Sequence, residues 1–119
     1  MERCLPTLRS GAVSESALQQ QLFHLLKLGG WHYAHFHDSR REVRPGVFVG
    51  DKAAVGFPDV IAVRGSQLLA LELKSEKGQL TPDQKEWIDA LDHVEDVWAR
   101  VVRPSELDSF AELLTSQRT

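Results

Sequence analysis

Two short apolar runs, Asp59 to Arg64 and Gln67 to Lys74, are separated only by Gly65-Ser66, and this restricts the fold more than any other feature. Two residues with glycine first have the length and chemistry of a type II′ hairpin loop. The runs therefore predict antiparallel strands with Arg64 opposite Gln67. Side chains alternate along a strand, so one face carries Ile61, Val63, Leu68 and Ala70, and the other Val60, Ala62, Leu69, Leu71 and Leu73. Both faces are apolar, which puts the hairpin at the centre of a covered sheet. The same register sets Asp59 opposite Glu72, with Lys74 on the face of Glu72; one bulge would break the alignment.

Around this hairpin the chain reads as α-β-β-β-α-β-α, an α/β fold with a small mixed β-sheet flanked by helices. A helix is predicted from Glu15 to Leu28, with Ser14 as N-cap, Val13 packing on Leu18, a stripe of Leu18, Leu22, Leu25 and Leu26, and Gly29-Gly30 at its end. Trp31 to Phe36 is strand-like. Thr81-Pro82 opens a second helix to about His93, with Trp87, Ile88 and Leu91 inward. Val97 to Arg103 is a strand able to pair in parallel, and Pro104-Ser105 opens a last helix to Thr115, with Leu107, Phe110, Leu113 and Leu114 inward. Asp38 to Phe57 shows no period and reads as a long functional loop. Trp31, Tyr33, Trp87, Trp98 and Phe110 are read as core residues.

The 119 residues fit a single domain, 1–119, with an ordered core over about 13–115. Fourteen basic and seventeen acidic residues leave a net charge of −3, which excludes a uniformly basic nucleic-acid coat. The single cysteine, Cys4, excludes an internal disulfide and a cysteine zinc site. No apolar run suits a membrane helix or signal peptide, so a cytoplasmic setting, bacterial or phage-infected, and no membrane partner are expected.

Like charges directly across a strand pair are destabilising. Asp59 and Glu72 at the end of a buried hairpin therefore need a proton, a cation or a metal. Lys74 supplies one positive charge, and oxygen ligands suit Mg²⁺ or Mn²⁺. The competing reading is a structural Asp–Lys–Glu cluster, but Glu72 and Lys74 alternate with Leu71 and Leu73 in an otherwise apolar strand, which favours a site. Gln84 completes a capping box in Thr81-Pro82-Asp83-Gln84. Glu15 suits the first turn of its helix through the macrodipole; it shares a core-facing stripe with Gln19, Leu22 and Leu26.

Gly56-Phe57-Pro58-Asp59, Leu71-Glu72-Leu73-Lys74-Ser75, Gly78-Gln79-Leu80-Thr81 and Gln84 together resemble the VRR-NUC branch of the PD-(D/E)xK nucleases. The resemblance implies a restriction-endonuclease-like core that hydrolyses DNA phosphodiesters with a divalent metal. It implies metal ligation by Asp59, Glu72 and the Leu73 backbone carbonyl, with Glu15 as a further ligand. Lys74 would orient or activate the water, and Gln84 would lie beside the metal, a role that stays open beside its capping role. Branched DNA such as four-way (Holliday) junctions is the implied substrate, cut by a homodimer, with no small-molecule cofactor. Linear duplex or flap DNA, or a catalytically silent DNA-binding or assembly module on the same fold, are the alternatives. His37, Arg40, Arg41, Arg44, Lys52 and Lys77 are candidate phosphate contacts, with Arg64 as a possible addition. His35-x-His37-Asp38 offers a weaker zinc reading without a third ligand.

Overall fold

The computed structural model describes residues 14–36 and 55–116, together with the backbone strands 41–44 and 47–49. Helix α1 (Glu15–Leu28) is followed by strands β1 (His32–His35), β2 (Arg41–Arg44), β3 (Val47–Val49), β4 (Val60–Arg64) and β5 (Gln67–Leu73). Helix α2 (Pro82–Asp92), strand β6 (Val97–Val102), a 3₁₀ turn at Pro104–Glu106 and helix α3 (Leu107–Thr115) complete the chain. Apart from the β2–β3 hairpin and the 3₁₀ turn, this is the order read from the sequence.

Helix α1 starts where Ser14 accepts a hydrogen bond from the Ala17 amide at 3.0 Å. Its stripe of Leu18, Leu22 and Leu26 has no exposed surface, and burial of each leucine favours folding by roughly 1.5–3 kcal/mol. These side chains pack on Val60, Ala62, Leu69, Leu71, Leu73 and Val102 of the sheet and on Leu107 and Leu114 of α3. One sheet face is thus the core, covered by α1 and α3. Helix α2 packs along β6 on the opposite face, where the Asp92 carboxylate accepts from the Ala99 amide at 3.2 Å.

The sheet order is β1-β4-β5-β6. β4 pairs with β1 and with β5 antiparallel, and β5 pairs with β6 in parallel. The predicted hairpin register holds throughout, from Arg64 opposite Gln67 to Val60 opposite Leu71. Gly65 has φ +62° while Ser66 is not in the positive-φ region, the signature of a II′ rather than a I′ loop.

Three sequence expectations change. The segment from Asp38 to Phe57 is not wholly loop, because Arg41–Arg44 and Val47–Val49 pair as a separate antiparallel ribbon with an irregular register. Its strands are too short, and β2 too charged, to show a period of two. Trp98 and Leu113, read as inward, are each 37% exposed at the rim where β6 meets α3. The last helix begins at Leu107 rather than Pro104, since Pro104–Glu106 form a 3₁₀ turn. Val13, the proposed partner of Leu18, and Cys4 lie outside the described residues.

Candidate active site

The site is built at the end of the central hairpin. Continued one residue beyond β4, the register sets Asp59 level with Glu72, so their side chains share the face opposite the leucine core. The Leu73 amide donates to Asp59 Oδ2 at 3.0 Å, which fixes that carboxylate where a ladder bond would otherwise lie. Lys74 extends the β5–β6 pairing through its amide, which donates to the Val102 carbonyl at 3.0 Å. Its side chain therefore follows Glu72 on the same face.

Glu72 is 3% exposed, the single buried charged residue among those described. One carboxylate oxygen, Oε2, accepts from Gln84 Nε2 at 3.0 Å. The other, Oε1, is buried without a donor. Burial first, and then the negative charge of Asp59, push the Glu72 carboxyl from 4.5 up to about 8; Lys74 pulls in the opposite direction. Hydrogen bonding to Asp59 and, least, the charge of Glu15 raise it further. With both groups ionised, the buried Glu72 carboxylate stands beside a like charge, and a proton on Glu72 removes that repulsion.

Gln84 serves two purposes at once. Thr81 Oγ1 accepts from the Gln84 amide at 3.2 Å, and Gln84 Oε1 accepts from the Thr81 amide at 2.9 Å, completing the capping box. With Oε1 engaged by an N–H, the amide can only turn its NH₂ toward Glu72. The start of α2 is held against the strand by Gly56. A Cβ built there would lie 2.6 Å from the Asp83 carbonyl carbon and 2.8 Å from the Gln84 nitrogen, and φ is +85°. Only glycine tolerates both the approach and that backbone angle.

The loop that carries Lys74 into α2 is fastened by Arg103. Its Nη1 donates to the carbonyls of Ser75 and Gly78, each at 2.7 Å, and more weakly to that of Glu76 at 3.3 Å. The Glu76 carboxylate in turn accepts from the Ser105 amide and hydroxyl at 3.0 and 2.6 Å. Sequence reading missed these contacts. Arg103 has no local signal, while the Leu73–Asp59 bond follows once the hairpin register is extended.

Of the remaining candidates, Glu15, Arg64 and Lys77 are among the described residues. Glu15 is exposed in the first turn of α1. Its charge is near enough to raise the Glu72 carboxyl, as the weakest of the causes, while among the described residues no three His, Cys, Asp or Glu side chains form a group able to hold an ion. Arg64 lies at the far end of β4, roughly 16 Å along the strand from Asp59. Its guanidinium donates to the Gly29 and Leu114 carbonyls at 2.7 and 3.2 Å and stacks 4.3 Å over the Trp31 ring. It is a structural clasp, not part of a phosphate patch at the site. Lys77 is exposed in the loop after β5. His37, Arg40 and Lys52, and the side chains of Arg41 and Arg44, lie outside the described residues. The His35 ring packs 5.5 Å from Phe23, toward α1.

Residues 38–103, more than half of the chain, match the VRR-NUC domain. The chain belongs to the VRR-NUC family. No curated protein and no solved structure matches it. VRR-NUC domains are nuclease domains of the restriction-endonuclease-like superfamily, and the four-stranded mixed sheet between helices is consistent with a small core of that kind. Membership gives this VRR-NUC protein a nuclease-type function in DNA processing, with DNA as its partner. Among the described residues no helix is long and apolar enough to cross a membrane.

Proposed function

We propose that this VRR-NUC protein is a divalent-metal-dependent endonuclease that hydrolyses DNA phosphodiester bonds. The observation that carries the reading is the Glu72 carboxyl, 3% exposed, with one oxygen lacking a donor and Asp59 beside it. Such a pair is unfavourable as two bare anions and well suited to a hard cation. Asp59, Glu72 and the Leu73 carbonyl would hold Mg²⁺ or Mn²⁺, which when bound supplies Lewis-acid polarisation and a water of lowered pKa.

This chain's own residues do the rest by position. The Leu73 amide and Gln84 Nε2 each hold one carboxylate oxygen, of Asp59 and Glu72 respectively. Lys74 brings a positive charge to that face, where it orients the attacking water and offsets charge on the phosphate. The net charge of −3 weighs against long, sequence-indifferent tracking of duplex phosphates and favours recognition of shape. Four-way junctions are the substrate we favour. One Asp59–Glu72 pair cuts one strand, and a junction needs two cuts related by a two-fold axis, which a homodimer supplies. We assign phosphate contacts to His37, Arg40, Arg41, Arg44, Lys52 and Lys77 on their charge.

Labelled four-way, flap and linear DNA incubated with Mg²⁺ or Mn²⁺ provide the test, with Mn²⁺ calorimetry alongside. Junction cleavage that disappears in Asp59→Ala and Lys74→Ala is the expected result. Cleavage that survives either substitution removes the assignment. A wild-type chain that binds no Mn²⁺ is the silent module instead.

A further inference from the structure

We propose that Phe36 is a stacking platform for an unpaired nucleobase of the DNA substrate, next to Asp59 and in one cross-strand row with Asp59 and Glu72. The inference rests on the nuclease reading above and adds the structural feature of DNA that the site selects.

The placement follows from two registers. β1 pairs with β4 from His32 opposite Val63 to His35 opposite Val60. The Phe36 amide then donates to the Asp59 carbonyl at 2.7 Å, continuing that ladder by one pair. Phe36 is thus across from Asp59 as Asp59 is across from Glu72, and residues directly opposite in antiparallel strands point to the same face with Cβ atoms about 5 Å apart. Phe36, Asp59 and Glu72 form one cross-strand row on the face opposite the leucine core.

Phe36 is 45% exposed. The next residues of β1 on its face, Ala34 and His32, are exposed too, and Ala34 is small, so a shelf lies open beside the ring. The ring is nonetheless held. It meets Phe57 edge-on at 5.7 Å and 89°, and Phe57 meets Trp87 at 5.0 Å and 81°. Trp87 follows Gln84 by one helical turn, so the same stretch of α2 braces the aromatic row and the Glu72 carboxylate. A rigid aromatic surface loses little freedom when a flat ligand lands on it.

A nucleobase fits this surface for three reasons. It has a π-face of matching size, stacking does not depend on base identity, and stacking gives affinity that a chain of net charge −3 cannot draw from phosphates alone. Bases inside a duplex are stacked on both sides, so only an unpaired base at a junction, flap or single-stranded tract can use the platform without an unstacking cost.

The test is equilibrium binding of the full chain in EDTA to labelled DNA carrying an unpaired base at a branch, against fully paired duplex. Phe36→Leu, which keeps an apolar side chain and removes the ring, should weaken binding to the branched DNA by about 5- to 150-fold and leave duplex binding nearly unchanged. Phe36→Trp should restore it, and Mn²⁺ calorimetry of Phe36→Leu should match wild type. Replacing the unpaired nucleotide by an abasic spacer should weaken wild-type binding by the same factor, an arm that needs no variant to fold. Equal losses on both DNAs, no loss on either, or no effect of the spacer would overturn the proposal. So would a change of oligomeric state in Phe36→Leu, which would make the ring a contact between copies of this chain. Failure of wild type to bind Mn²⁺ or cut DNA would instead remove the nuclease reading, while the EDTA comparison still decides the platform.

Discussion

Replacing the Glu72 carboxyl by an amide should make the metal-free protein more stable while destroying its metal site. Glu72 ionises near 4.5 in its ordinary state and is pushed to about 8 when folded, by burial and then by Asp59. Below 4.5 the group is protonated whether or not the chain is folded, and it costs nothing. Between 4.5 and 8 the unfolded chain releases the proton and the folded chain keeps it, so stability falls as pH rises. At pH 7 the accumulated penalty is about 3 kcal/mol, at 1.36 kcal/mol per pH step above 4.5. Glu72→Gln does not titrate. Its carbonyl can accept from Gln84 Nε2 as Glu72 Oε2 does now, and its neutral NH₂ takes the place of an oxygen that is buried without a donor.

Urea unfolding in EDTA, followed for both proteins from pH 5 to pH 8, measures the difference directly. The variant should gain on wild type as pH rises, by about 3 kcal/mol at pH 7, and the gap should vanish toward pH 4.5. Mn²⁺ at about a thousand times its dissociation constant should reverse the order, because a ligand held only by the folded wild type then stabilises it by about 4.1 kcal/mol. A gap that stays flat with pH, or a variant less stable than wild type at pH 7, would refute the account of Glu72 as a buried group charged against its surroundings.

Other perturbations separate the supporting contacts. Gln84→Glu keeps a capping-box acceptor at the third helical position but loses the donor to Glu72 and adds a third negative charge. Mn²⁺ affinity should drop roughly 10- to 100-fold, measured by calorimetry, while Gln84→Ala should also cost about 1 kcal/mol of stability from the lost cap. Gly56→Ala forces a Cβ to within 2.6 Å of the Asp83 carbonyl carbon at φ +85°. Thermal unfolding should show a loss of about 1–3 kcal/mol, and weaker Mn²⁺ binding should accompany it because α2 must shift away from Glu72. Arg103→Ala releases three carbonyls of the loop after Lys74. Limited proteolysis should then cut between Lys74 and Leu80 faster, with stability lower by about 1–3 kcal/mol.

Much of this was legible in the sequence because it is local. Ser14, the leucine stripe and Gly29 bound α1 correctly, and a two-residue loop leaves a hairpin only one register. The opposition of Asp59 and Glu72 follows from that loop alone. What escaped depends on the third dimension. Amphipathic spacing identifies an apolar stripe but not how far its covering layer extends, which is why Trp98 and Leu113 are half open at a rim read as core. The β2–β3 ribbon was hidden because Arg41, Glu42 and Arg44 interrupt any apolar alternation. Arg64 carries a charge that sequence alone could count toward a basic patch. Only the fold shows it fixed to two carbonyls at the opposite end of the sheet.

Gln84 shows how local and site requirements combine. From the sequence its capping and site roles stood as separate possibilities, yet the geometry makes one the cause of the other. The Thr81 amide has no partner within the helix, so it takes Gln84 Oε1. That leaves the NH₂ as the only part of the amide free to turn, and Gly56 lets the helix start close enough for it to reach Glu72. The polarity of the contact at the carboxylate is therefore set by the need to cap a helix. A carboxylate at this position satisfies the cap equally well and cannot supply the donor, which is why Gln84→Glu isolates the site contact from the fold.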